Sequence, residues 1–142
     1  MDDTFNLGRF IEAQHGNYDQ ALAELSAGRK RGHWMWFIFP QLAGLGSSAT
    51  AQFYAIRSLE EARAYRLHPV LGERLYRCTE AVTAVSGRTA FEVFGSPDDM
   101  KFRSCMTLFG RADAAAGPFS QALARYCGGA EDPRTLDLLG LS

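Results

Sequence analysis

Between Leu71 and Val85 the apolar side chains Leu71, Leu75, Cys78, Val82 and Val85 recur at spacings of three and four. That rhythm lays one continuous stripe along a helix and scatters over both faces of a strand. Pro69 supplies a first helical residue before the stripe, Gly87 lies at its end, and Glu73 and Arg77 pair at i, i+4 on its polar side. The same period returns along the chain. Leu7, Phe10 and Ile11 open a short helix that fades before Gly16. Asn17 is an N-cap with Gln20 at the third helical position, a capping-box pattern, and Tyr18, Ala21, Leu22 and Leu25 then form a stripe closed by Gly28. Ser58 and Glu61 form a second capping box, and helical signal also covers Ala49–Ile56 and Thr89–Phe94.

Further helix starts are written in punctuation. Ser96-Pro97-Asp98-Asp99 reads as an N-cap serine, a proline at the first position and acids where the helix dipole favours them, with Phe102, Cys105, Met106 and Phe109 facing a core. Gly117-Pro118 opens a helix carrying Phe119, Ala122, Leu123 and Tyr126; Asp132-Pro133 opens another with Leu136 and Leu139. Residues 29–48 alone lack this order, broken by Pro40, Gly44 and Gly46. Within them, Trp34–Phe39 fits a helical turn or a buried strand, because six residues carry too little period to choose. The sum is an all-α fold: a single compact domain over residues 1–142, with about seven or eight short helices and one long aromatic-rich loop region.

At 142 residues the chain buries enough core to need no disulfide or metal. Cys78, Cys105 and Cys127 have no zinc-site spacing and read as reduced core residues, so no metal or cofactor is expected. A net charge of −1 argues against general nucleic-acid binding. The longest apolar run, Trp34–Phe39, is far short of a membrane span, and the first residues lack a signal-peptide pattern. A cytoplasmic protein is expected.

The chemistry-bearing residues gather in two places. Arg29, Lys30, Arg31 and His33 lead into both tryptophans, Trp34 and Trp36, and then Phe37, Phe39 and Gln41. Cations there suit phosphate or carboxylate and the indoles suit a ring; the same residues equally suit a core with a charged lip. Gly44-Leu45-Gly46-Ser47-Ser48-Ala49 fits a G-x-G-x-x-A pattern, but Pro40-Gln41 separates it from the one strand candidate and no later strand ends in an acid, so a dinucleotide fingerprint is rejected. A glycine-rich turn feeding a helix survives. The helix after Ser96 carries Asp98, Asp99, Lys101, Arg103, Ser104 and Thr107, enough polar groups either for a ligand-facing surface or for a capped, ion-paired outer helix. No hydrolase elbow, metalloprotease motif or P-loop is present.

Ala27–Gln41, Gly44-Leu45-Gly46, Tyr54-Ala55-Ile56, Ser58–Tyr65, His68–Gly72 and Gly95–Phe109 together resemble a bacterial family, domain of unknown function 1810, over nearly the whole chain. The resemblance implies a compact, mostly helical fold and no particular activity. Members sometimes carry the label calpastatin; a calpain inhibitor is a long disordered repeat protein, and nothing in this chain looks like one. A remoter similarity, to the helical NADAR proteins that act on ADP-ribose-linked substrates, extends to an aromatic block followed by a polar helix. No catalytic residue of that group falls on a position here, so it stands as analogy.

The expectation is a pocket for a nucleotide-like or ADP-ribose-like anion, with hydrolysis of a glycosidic bond as its chemistry if it is an enzyme. Arg29, Lys30 and His33 would meet phosphate or ribose, Trp34 or Trp36 the ring, and Gln41 would lie beside them. Asp99 would act as the catalytic carboxylate, with His33 as a second catalytic candidate and Lys101 and Ser104 orienting the ligand. The alternative is a non-catalytic protein-interaction module that docks a partner on the Trp34/Trp36 block.

Overall fold

The computed structural model describes residues 3–113 and 117–141. Among them are ten helices: α1 (Gly8–Gln14), α2 (Tyr18–Ser26), α3 (Met35–Ile38), α4 (Ala49–Phe53), α5 (Leu59–Leu67), α6 (Leu71–Thr83), α7 (Ala90–Phe94), α8 (Asp98–Ala112), α9 (Gly117–Cys127) and α10 (Pro133–Leu139). The described residues contain no strand, only one isolated parallel bridge between Leu42 and Ile56. The all-α expectation holds. The ten helices exceed the expected seven or eight; one of the additional ones is α3, a single turn within the aromatic segment, which decides between the helical turn and the strand.

The longest helix, α8, is the hub. It packs against α5, α7, α9 and α10, while α6 packs against α2, α5 and α9. Phe102, Cys105, Met106, Leu108 and Phe109 are fully buried along it. Phe102 stacks on Phe94 at 4.7 Å between centroids and meets Phe39 edge-on at 5.1 Å, so the aromatic segment is anchored on this helix. Ser104 and Thr107 are buried too: α10 and the turn before it cover part of the polar side that the sequence leaves open to a ligand or to solvent.

Several caps differ from the sequence expectation. Asn17 is the N-cap of α2 in position only; its side chain donates back to the Ala13 carbonyl, and Gln20 donates to Glu24 instead of completing a box. Ser58 does cap α5, but Glu61 turns to the Arg57 N–H and to Arg9. The reciprocal box is formed at Thr89 and Glu92. Pro69 does not open α6: His68 Nδ1 accepts from the N–H groups of Val70 and Leu71, and the helix begins at Leu71 and ends at Thr83, before Gly87. Pro97, after a cis peptide bond from Ser96, takes the N-cap position of α8, one residue later than Ser96. Asp132 caps α10 as its sequence suggests, accepting from Thr135 N–H at 3.1 Å.

One buried charge ties the N-terminal helix down. All five N–H donors of Arg9 are used, by the carbonyls of Phe5, Asn6, Phe53 and Ala55 and by Glu61 Oε2 at 2.8 Å. A guanidinium can stay buried when every donor is matched and its charge is paired. This clamp fixes the chain from Phe53 to Glu61 and so fixes the end of α4, the helix whose Ala51 lines a surface cavity.

Candidate functional site

Glu24 holds the start of the aromatic segment in place. Its Oε1 accepts from the Arg31 and Gly32 backbone N–H groups and from the Trp34 indole at 2.7, 2.9 and 2.9 Å, and its Oε2 accepts from Gln20. Partial burial opposes the carboxylate, but these four donors prevail and bring its pKa down to about 2. Trp34 is thereby committed to the core, with 3% of its surface exposed. Lys30 is committed as well. Its ammonium lies 2.8 Å from Asp98, donates to the Gly32 carbonyl and sits 5.1 Å above the Trp34 ring.

The chain then passes through α3 to Gln41 and the 44–48 turn. Ser48 caps α4 by accepting from Ala51 N–H, and Gly46 lies so close that an added Cβ would come within 2.6 Å of the Ala51 Cβ. This turn forms one wall of a cavity of about 360 Å³. Pro97, Met100, Lys101 and Ser104 of the α8 side form the second wall, and Asp132 and Arg134 at the start of α10 form the third. Lys101 and Ser104 are one turn apart on the same face. A narrower recess adjoins the cavity through Gln41, Ala51 and Lys101 and is lined by Trp36, Phe39 and Tyr54. At about 10 Å³ it has room for one water.

The polar groups of the cavity are held at defined places. Lys101 lies 5.6 Å above the Trp36 ring and 3.5 Å from Asp98, a looser pair than Lys30 makes with the same carboxylate. Asp132 Oδ2 takes three donors: the Ser104 hydroxyl at 2.9 Å, the Thr135 hydroxyl at 2.6 Å and the Thr135 N–H. The Asp132 N–H donates to Thr107 Oγ1, so backbone and side chain are both fixed. Ser104 Oγ also lies 3.1 Å from the Met100 carbonyl, and its one proton serves either acceptor.

Of the residues singled out from sequence, the cavity and its recess gather Gln41, Lys101, Ser104 and Trp36. Lys30 and Trp34 lie behind them, in packing and ion-pair roles. Arg29 and His33 are exposed and do not line the cavity. Asp99 does not line the cavity either; its Oδ1 accepts from the Met100 N–H in the first turn of α8. The carboxylate that does line the cavity is Asp132, and Arg134 is its second cation. Sequence reasoning marked Asp132 only as a helix start. Its N-cap role was legible from Asp-Pro, but its contact with Ser104 spans 28 residues and needs the fold.

The protein-family comparison matches residues 4–139 to the family described as "Protein of unknown function (DUF1810)". Among solved structures, the conserved hypothetical protein Rv1873 from Mycobacterium tuberculosis is 56% identical, with a TM-score of 0.96 over 99% of this chain and 100% of that one. No curated protein matches. The match over nearly the full length, on a fold shared with the mycobacterial protein, means that this chain belongs to the DUF1810 family.

Proposed function

We propose that this protein binds a phosphate-bearing, ring-containing small molecule of nucleotide type in the cavity between the 44–48 turn, α8 and α10. The observation that carries the reading is that two cations, Lys101 and Arg134, and the apolar side chains of Leu45, Ala51 and Met100 line one concave site. Cations supply charge-assisted hydrogen bonds to phosphate, and apolar side chains cover a ring. The cavity is at the small end of ligand pockets, which run from roughly 300 to 1,000 Å³. A mononucleotide suits that size, and an ADP-ribose-like molecule would extend beyond the walls. The reading also fits a cytoplasmic protein, since nucleotides are abundant there.

The cavity suits binding better than glycosidic hydrolysis. Most glycosidases flank the scissile bond with two carboxylates, and Asp132 is the one carboxylate among the described lining residues. A docking role for the tryptophans has less to use, since Trp34 is buried and Trp36 is half-buried beside the recess. The test is a thermal-shift series with AMP, ADP-ribose and inorganic phosphate on the wild type, Lys101→Ala and Arg134→Ala. AMP is expected to raise the wild-type melting temperature, and each variant to weaken AMP binding on the order of tenfold to a hundredfold. A wild type indifferent to all three compounds would overturn the reading.

A further inference from the structure

We infer that the ligand must present hydroxyl donors beside its phosphate, and that Asp132 is the residue selecting for them, so that the site takes a sugar phosphate or the ribose phosphate of a nucleotide in preference to a bare anion. This rests on the cavity reading above and goes further by assigning the ligand's second functional group.

Asp132 Oδ2 accepts from both donors of Thr135 and lies within hydrogen-bond distance of the Ser104 hydroxyl. Oδ1, on a half-buried residue that lines the cavity, accepts no hydrogen bond from any described residue. No cation pairs with Asp132 among the described residues, although Lys101 and Arg134 line the same space. The cavity therefore offers two kinds of recognition: cation donors for an anion, and one carboxylate oxygen, oriented by three hydrogen bonds, that accepts only from a donor.

A sulfate satisfies the first kind and fails the second, because it carries no proton at neutral pH. It brings negative charge toward the Asp132 carboxylate and offers that oxygen no donor in return. A ligand with hydroxyls two or three carbons from its phosphate satisfies both kinds. Its phosphate reaches Lys101 and Arg134, and a hydroxyl donates to Asp132 Oδ1, a charge-assisted hydrogen bond. The carboxylate thus converts a generic anion site into one that discriminates by the donors beside the anion. Ser104 acts as a positioning residue for this oxygen: its hydroxyl holds Oδ2 and so fixes the carboxylate plane.

The test is isothermal titration of the intact chain at neutral pH with ribose 5-phosphate and sulfate. The wild type runs beside Asp132→Asn and Asp132→Ser, both of which keep an N-cap oxygen for α10. Wild-type protein is expected to bind ribose 5-phosphate on the order of tenfold to a hundredfold more tightly than sulfate. The variants are expected to lose most of that preference while binding sulfate at least as tightly, because the repelling charge is gone. Equal wild-type affinity for the two anions, or a preference that survives in both variants, overturns the role of Asp132 and leaves the anion pocket standing. Failure of both anions to bind the wild type overturns the pocket and this inference with it.

Discussion

Lys30 and Lys101 both reach Asp98, at 2.8 and 3.5 Å, and their surroundings give them different work. Lys30 is 8% exposed, with a carbonyl, a carboxylate and an indole face around its ammonium. Removing it leaves Asp98 with only the looser partner. Lys30→Ala should therefore cost the fold about 1.5–3 kcal/mol, measured by chemical denaturation. Lys101→Ala should cost less than about 1 kcal/mol and act on ligand affinity instead. Equal destabilisation by the two would contradict this division. Glu24 sets a pH dependence. Its pKa falls from 4.5 in the unfolded chain to about 2 in the folded one, so its contribution is complete above about 4.5 and is lost as pH falls toward 2. Melting temperatures recorded from pH 6 down to pH 2 should drop more steeply for wild type than for Glu24→Gln; parallel curves would remove Glu24 from the account. The local sequence shows the lysines and tryptophans as a cluster but not this sorting, because Glu24 and Asp98, which do the sorting, lie on other elements.

At the scale of elements, apolar period made α2, α5, α6, α8 and α9 legible, since burial of one stripe is a local pattern that the fold then uses. What stayed illegible were ends and short turns. His68 caps α6 through a ring nitrogen, a role its type seldom signals, and α3 is too short to show a period. The α5–α6 corner makes a direct prediction. An added Cβ on Gly72 would lie 1.9 Å from the Arg66 carbonyl oxygen, a backbone atom that cannot rotate away. Gly72→Ala should destabilise by about 1–3 kcal/mol or more despite alanine's better helix propensity. A variant as stable as wild type in denaturant titration would mean that α5 and α6 do not approach this closely.

Across the whole molecule, the wall of the cavity built by α10 could not be foreseen, because it brings Asp132 and Arg134 to a face of α8 that sequence alone leaves equally suited to solvent. Lys101 and Ser104 are legible as polar groups sharing one face of α8; the carboxylate expected beside them is Asp99, the neighbour in sequence, whereas Ser104 bonds to Asp132, 28 residues on, and Lys101 pairs with Asp98. The fold places three separate segments around one cavity, and the account stands on that cavity being where a phosphate ligand binds. Titration of ¹⁵N-labelled protein with AMP, followed by two-dimensional NMR, tests this most directly because the two indole signals act as internal controls. The account predicts shifts at Ser47, Ser48, Lys101, Ser104 and Arg134 and at the Trp36 indole, with the Trp34 indole, bonded to Glu24, unmoved. No shifts, or shifts centred on a distant region such as the Arg9–Glu61 pair, would contradict it.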